Sequence, residues 1–461
     1  MVFSSIVFLF YFLPITLALY YIVPKKIRNF VLLIASLIFY AYGEPTFVLI
    51  MISSIVFTYL YGILIDKFRN KSKIFLVLSI CTSLGLLVYF KYTNFIIKNI
   101  NLWLTNKVDF IKVILPIGIS FYTFQMLTYI IDLYNGNVKV QKNIFKLGLY
   151  ITLFPQLIAG PIVRYKTIED QLEKREHSVE KFAEGVRRFI IGLGKKVLIA
   201  NLLGELVQVF LQSNDKSILF YWMYAISIML QIYFDFSGYS DMAIGLGKMF
   251  GFDFLENFNY PYIAKSVTDF WRRWHISLSS FFKDYVYISL GGNRVSKAKW
   301  LRNILVVWIL TGVWHGADWN FITWGLYFGI ILILEKIIFG KILEKLPVII
   351  TRCYVLLSVM ISFVIFSGES LNQILNNLSG LIGYNKIPLI SLESLYYFKS
   401  YLVIFIIAII GSTPFMANIC KKEKFKRFVN LIEPVYLLLV LILSTSYIID
   451  GSFNPFLYFR F

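Results

Sequence analysis

Three cysteines and three histidines are all that this 461-residue chain carries of the residues that most often bind metal or form disulfides. Cys81, Cys353 and Cys420 lie in or beside apolar stretches and no two are close in sequence. That spacing supports neither a disulfide framework nor a zinc site, and no metal is expected. Acidic residues are also scarce: 26 Asp and Glu stand against 45 Lys and Arg, a net charge of +19. The Gly-x-Ser-x-Gly elbow, the P-loop and the Gly-x-Gly-x-x-Gly fingerprint are all missing, which leaves a serine hydrolase or an ATP-driven pump unsupported. Neither a low-complexity linker nor a repeat of fixed period is present.

What the chain has instead is apolar bulk. Hydrophobic residues make up 58% and aromatics 18%, and the mean hydropathy is +0.71. Such values exclude an ordinary soluble domain and describe a polytopic membrane protein. The first apolar segment, 3–23, has spanning length but lacks a basic leader and a small-residue cleavage site, so it is expected to be retained. In a soluble protein the basic excess would suggest nucleic acid. Here it falls in short loops such as Lys25–Arg28, Lys67–Lys73 and Lys421–Arg427. Its expected partners are the lipids of the inner leaflet, with an anionic cofactor as a second candidate, and no nucleic acid.

Hydropathy gives about twelve transmembrane helices, in segments 3–23, 30–42, 46–65, 74–91, 112–134, 187–211, 217–236, 302–316, 319–340, 348–367, 398–418 and 431–449. Charge places both termini outside, against one contrary loop, Lys91–Lys112. Tyr42-Gly-Glu-Pro45 separates the second segment from the third. Two regions resist this reading. Ile144–Val163 is apolar, but Pro155 and Gly160-Pro161 break it, so it is expected to dip into the membrane and return. Asp235–Gly292 is polar enough to lie at the surface or inside a funnel. Irregular backbone at membrane depth persists only where protein covers it or a cavity adjoins it. A single domain over 1–461 is expected, with a core at 144–320 and an extracytoplasmic aromatic tail at 450–461.

His315 sits between two apolar stretches, in Thr311-Gly-Val-Trp-His-Gly-Ala-Asp-Trp-Asn320. A titratable ring there is costly and usually serves function. Gly312 and Gly316 would admit a closely approaching group, Trp314 and Trp319 would exclude water, and a neutral imidazole could take a proton from an attacking hydroxyl. Val267–Ile288 has helical periodicity, with Phe270, Trp271, Trp274 and Leu278 on one face and Arg272, His275, Ser279 and Lys283 on the other. Periodicity alone does not separate an interfacial helix with snorkelling basic residues from a face on which Arg272, Arg273 and Lys283 hold a phosphorylated cofactor near His275. In Asp235-Phe-Ser-Gly-Tyr-Ser-Asp241 two carboxylates flank a glycine, either capping a helix break or orienting a histidine. His177 reads as a solvated side chain.

Several motifs carry a family resemblance. Phe154-Pro-Gln-Leu-Ile-Ala-Gly-Pro-Ile-Val-Arg-Tyr165, Phe236-Ser-Gly-Tyr-Ser-Asp-Met-Ala-Ile-Gly245, Glu256-Asn-Phe-Asn-Tyr-Pro-Tyr262, Asp269-Phe-Trp-Arg-Arg-Trp-His-Ile-Ser-Leu-Ser279, Leu290-Gly-Gly-Asn-Arg294 and Gly312-Val-Trp-His-Gly-Ala317 occur in order. Together they resemble the bacterial membrane-bound O-acyltransferases (MBOAT), in the alginate and peptidoglycan O-acetyltransferase branch. The resemblance implies an all-α polytopic membrane protein with re-entrant and interfacial helices around a central funnel. It also implies acyl transfer from a cytoplasmic donor, acetyl-CoA, to an envelope or extracellular polysaccharide. His315 matches the family's catalytic histidine, and His275 matches its second characteristic position.

Composition rich in Ile, Lys, Asn and Phe suggests an AT-rich genome, so peptidoglycan or another wall polymer is a better expectation than alginate. The implied location is the bacterial cytoplasmic membrane. The tail Asp450–Phe461 resembles the C-terminal aromatic motif of the family, whose tyrosine passes the acyl group to a secreted SGNH-type transferase; here that residue is Tyr458. A phenol is a competent acceptor once a base removes its proton. The alternatives are D-alanyl transfer to teichoic acid from a carrier protein and, more distantly, a proton-coupled transporter. The latter predicts inverted repeats, which the sequence does not show.

Overall fold

A computed structural model describes residues 1–158, 160–384 and 386–451, and these contain helices, turns and loops but no strand. Six helices among the described residues are long and apolar enough to cross a membrane: Phe47–Lys67, Arg69–Ile100, Ile218–Met249, Val348–Ser367, Leu392–Gly411 and Glu423–Asp450. Phe8–Ile22 and Arg28–Gly43 are apolar but shorter. The all-helical membrane architecture is as expected, whereas the count of twelve crossings is not established by these lengths.

The chain divides into two compact units. One comprises Met1–Phe189 and Tyr239–Leu255, the other Ile190–Gly238 and Glu256–Phe461. The first is organised around packed aromatic rings. Phe3, Phe8, Phe39 and Phe154 are nearly or fully buried, with ring centroids 4.9–6.5 Å apart. Apolar side chains on every side of a helix call for burial on every side. Ile119–Tyr134 meets that demand, being buried along nearly its whole length.

Pro155 and the glycine-proline pair do break Ile144–Val163. Ile144–Thr152 ends where Leu153 turns to φ −49°, ψ 107°, and Phe154–Leu157 adds one more turn. Pieces of nine and four residues, at about 1.5 Å per residue, are too short to cross a bilayer. The break at Tyr42–Pro45 also appears, between helices ending at Gly43 and beginning at Phe47.

Other boundaries differ from expectation. The span expected from residue 112 is helical only from Ile119, because Pro116 and the left-handed Gly118 precede it. Between the expected spans 348–367 and 398–418 lies a further helix, Leu371–Leu381, with the Ser370 hydroxyl capping the N–H of Gln373. Asp235–Asp241 contains no break: the helix Ile218–Met249 runs through it. The tail 452–461, with Tyr458, lies outside the described residues.

The second unit has an extended aromatic core that includes Tyr233, Phe270, Trp274, Trp324, Phe328 and Phe363. Around it the helices Lys297–His315 and Trp319–Leu334 form a hairpin. They cross where both surfaces are bare: a Cβ on Gly312 would strike the Phe321 carbonyl, and one on Gly325 would strike the Trp308 carbonyl. The close approach that Gly312 permits is therefore that of a neighbouring backbone. Leu290-Gly-Gly-Asn-Arg294 is also explained by structure. Gly291 and Gly292 have φ of 96° and 58°, and Asn303 donates to the carbonyls of Leu290 and Gly292 at 3.1 and 3.0 Å.

Candidate active site

The periodic segment Val267–Ile288 is not one helix. Ser266 caps Val267–Arg273 at its start by accepting from the Asp269 N–H, and the helix stops before Trp274. His275 then adopts φ 45°, ψ 54°, and a new helix covers Ile276–Phe281. A left-handed conformation at a non-glycine residue costs about 1–2 kcal/mol, so it persists only where the surroundings impose it. Here they do. Ile276 N–H donates to the Asn257 carbonyl at 3.0 Å and Asn259 N–H donates to the Arg273 carbonyl at 2.9 Å, tying the kinked segment to Asn257–Asn259. The even amphipathic stripe concealed this kink, since apolar residues lie on the same side before and after it.

His275 is 1% exposed. Its Nδ1 lies 3.2 Å from Asn257 Oδ1, while the same oxygen accepts from the Ser277 N–H at 3.2 Å and the Ser277 hydroxyl at 2.9 Å. The Phe236 ring meets the imidazole edge to face at 4.6 Å. Burial, with a smaller repulsion from His315, pushes His275 well below its ordinary range, so it is neutral at pH 7.

His315 ends the helix Lys297–His315 and is 7% exposed. Its surroundings are aromatic: Trp314 at 4.9 Å, Trp324 at 4.9 Å and Phe366 at 5.3 Å. Trp314 also lies 6.0 Å from His275, so one indole adjoins both imidazoles. Of the two tryptophans expected to exclude water, Trp314 is buried but Trp319 is half exposed. Trp324 and Phe366 stand where Trp319 was expected. They come from other helices, and sequence adjacency gave no sign of them.

The two carboxylates of Asp235–Asp241 bind cations. Asp235 pairs with Lys196 at 2.6 Å, both 2% exposed, and Asp241 pairs with Arg188 at 2.8 Å. The Asp235–Lys196 pair joins Ile218–Met249 to the segment Lys195–Asn201, where a Cβ on Gly238 would meet the Gly192 carbonyl and the Lys196 nitrogen. Arg273 is held by Asp269 at 3.0 Å, and Arg272 and Lys283 are exposed.

Glu335 was not foreseen, because it opens a basic stretch. It is buried, accepting from the Val267 and Thr268 N–H groups at 2.5 and 2.9 Å and from the Thr268 hydroxyl at 2.7 Å. It thus supplies the anionic cap of the helix that leads into His275. His177 is not simply solvated. Its Nε2 lies 2.8 Å from the Tyr20 hydroxyl, and burial together with Arg175 and Arg28 lowers its pKa.

No group of three or more His, Cys, Asp or Glu suited to a metal occurs among the described residues. A buried imidazole among aromatic rings, with a second buried imidazole bordering the same indole, is suited to moving a proton from a hydroxyl.

Comparison with known proteins gives a consistent result. The membrane-bound O-acyltransferase family (MBOAT) matches residues 139–375. The probable alginate O-acetylase of Pseudomonas aeruginosa is 44% identical over 382 residues, covering 80% of this chain and 73% of its own length. The peptidoglycan O-acetyltransferase of Helicobacter pylori is 34% identical, covering 85% of this chain and 82% of its own. A teichoic acid D-alanyltransferase from Bacillus subtilis is 32% identical, but over 47% of this chain and 58% of its own length.

Proposed function

We propose, since this chain belongs to the membrane-bound O-acyltransferase family, that it takes an acetyl group from cytoplasmic acetyl-CoA and passes it across the bacterial cytoplasmic membrane to a cell-envelope polysaccharide, peptidoglycan or a similar polymer. The enzyme class follows from the family. Acetyl as the acyl group is supported by the O-acetylases that match over most of the chain, against the D-alanyltransferase that matches over less than half of it.

The observation that carries the mechanism is the pair of buried imidazoles bordering Trp314. His315 acts as general base. It removes the proton of an acceptor hydroxyl as the oxygen attacks the thioester carbonyl, then returns that proton to the departing CoA sulfur. In this scheme the first acceptor is the Tyr458 phenol, and an extracytoplasmic SGNH-type transferase moves the acetyl from the resulting aryl ester to the polysaccharide. Arg272 and Lys283 meet the donor's phosphates from the exposed side of their helices. Arg273 contributes less, since Asp269 already holds it.

Purified protein in detergent is given radiolabelled acetyl-CoA. The expected result is label on the C-terminal peptide at Tyr458 without any carrier protein. No label from acetyl-CoA, with label instead from radiolabelled D-alanine on its carrier protein, would replace this reading with D-alanyl transfer. Full acetylation of polymer by Tyr458→Phe would reject the relay.

A further inference from the structure

The motif Glu256–Tyr262 is not used by the mechanism above, yet its Asn257 is 1% exposed and touches His275. The orientation of an amide and the tautomer of an imidazole are assigned from their partners, and here one partner is unambiguous. A main-chain N–H can only donate, and that of Ser277 lies 3.2 Å from Asn257 Oδ1. The atom facing it is therefore an acceptor. The reverse orientation would set an NH₂ against an N–H, so this one is kept although Asn257 Nδ2 has no hydrogen-bond partner among the described residues. Since Oδ1 accepts, His275 Nδ1 at 3.2 Å must carry the ring proton. The Nε2 is then left with its lone pair, buried and without a hydrogen-bond partner among the described residues.

We infer that Asn257 is a positioning residue: it commits His275 to the Nδ1–H tautomer and presents the Nε2 lone pair as an acceptor for the hydroxyl that enters the His315 site. This rests on the reading of both histidines as parts of one acyl-transfer site. The strained backbone agrees with it, because the Asn257 carbonyl and side chain together hold the kink at which His275 sits. The titratable group acting on His275 is His315, and its near neighbours Phe236, Trp314, Asn257 and Ser277 are neutral. Among the described residues no carboxylate is seen at its Nδ1, and the Asn257 amide oxygen fills that place.

With three histidines in the chain, selective ¹⁵N-histidine labelling reads the tautomer directly. The wild type should show an Nδ1–H, Nε2-bare imidazole at pH 8 that His275→Asn, which tolerates the left-handed backbone, removes. In Asn257→Ala the signal should shift toward Nε2–H, and transfer should fall on the order of tenfold to a hundredfold. Asn257→Asp keeps the oxygen that accepts from His275 and Ser277 but adds charge. It should retain the tautomer and move the acid limb of the pH–rate profile upward by about one unit or more, because a carboxylate favours imidazolium.

An unchanged tautomer and rate in Asn257→Ala, or an unmoved acid limb in Asn257→Asp, would overturn the inference. If His275→Asn itself transfers at the wild-type rate, the fault lies with the role given to His275. If that variant is impaired while both Asn257 variants are normal, only the role of Asn257 fails.

Discussion

His315 and His275 adjoin the same indole, yet the contacts seen around them differ in kind. His315 closes a helix and is surrounded by Trp314, Trp324 and Phe366. His275 sits at a kink between two helices, fixed through Asn257 and Ser277. Rings pack against His315 from Trp314, Trp324 and Phe366, whereas at His275 a polar clamp fixes which nitrogen carries the proton. On the mechanism we propose, the difference is a division of labour: His315, packed among rings, is the base that gains and loses a proton, and His275 is the group that orients the hydroxyl from a single tautomer.

The largest effect that sharpens the contrast is at the ring-enclosed site. His315→Ala should abolish acyl transfer while the melting temperature in detergent stays near that of the wild type, since truncation strands no charge. His275→Asn should cost less, about tenfold to a hundredfold, because orientation is lost but the base remains. Equal losses in both would erase the proposed division.

Next comes the support behind the clamp. Asp235 precedes Phe236, whose ring packs on His275, and is neutralised by Lys196. Lys196→Met leaves the buried carboxylate without its ammonium partner, at a cost of about 3–5 kcal/mol. A lowered thermal midpoint should result, and an unchanged midpoint would show that Asp235 is satisfied by other means.

Protonation offers a milder perturbation. His275 in the folded protein resists the proton that an unfolded chain takes up near pH 6.5, so its contribution to stability is present above that range and lost as pH falls through it. Thermal midpoints should decline from pH 7.5 to 5.5 in the wild type and decline less in His275→Asn. Parallel declines would remove His275 from the titration.

Smallest of all is the effect at the exposed arginine. Arg272→Gln should raise KM for acetyl-CoA severalfold with little change in kcat, and Arg273→Gln should raise it less, given the pairing with Asp269. An unchanged KM in both would move donor binding elsewhere.

The helical character, the break in Ile144–Val163 and the burial of His315 were legible in the sequence because each rests on local pattern: apolar run length, proline, or a costly ring in an apolar stretch. His275 was singled out by its place on a periodic face and by the family motif. The kink at His275 was not legible, since it keeps the apolar stripe in phase across the break. Glu335 caps a helix 68 residues away from it in sequence, and Lys196 finds Asp235 across a turn of chain that no spacing rule connects. Trp319 was named for its nearness to His315 in sequence, and nothing in the sequence pointed to Trp324. Periodicity records which way residues face and is silent about what they meet.

The central claim is that His315 is the base that moves the acyl group. Its most direct test is the rate of label transfer from radiolabelled acetyl-CoA by purified His315→Ala, with folding verified by its thermal midpoint. The account predicts no label above the enzyme-free background, and transfer at the wild-type rate would contradict it.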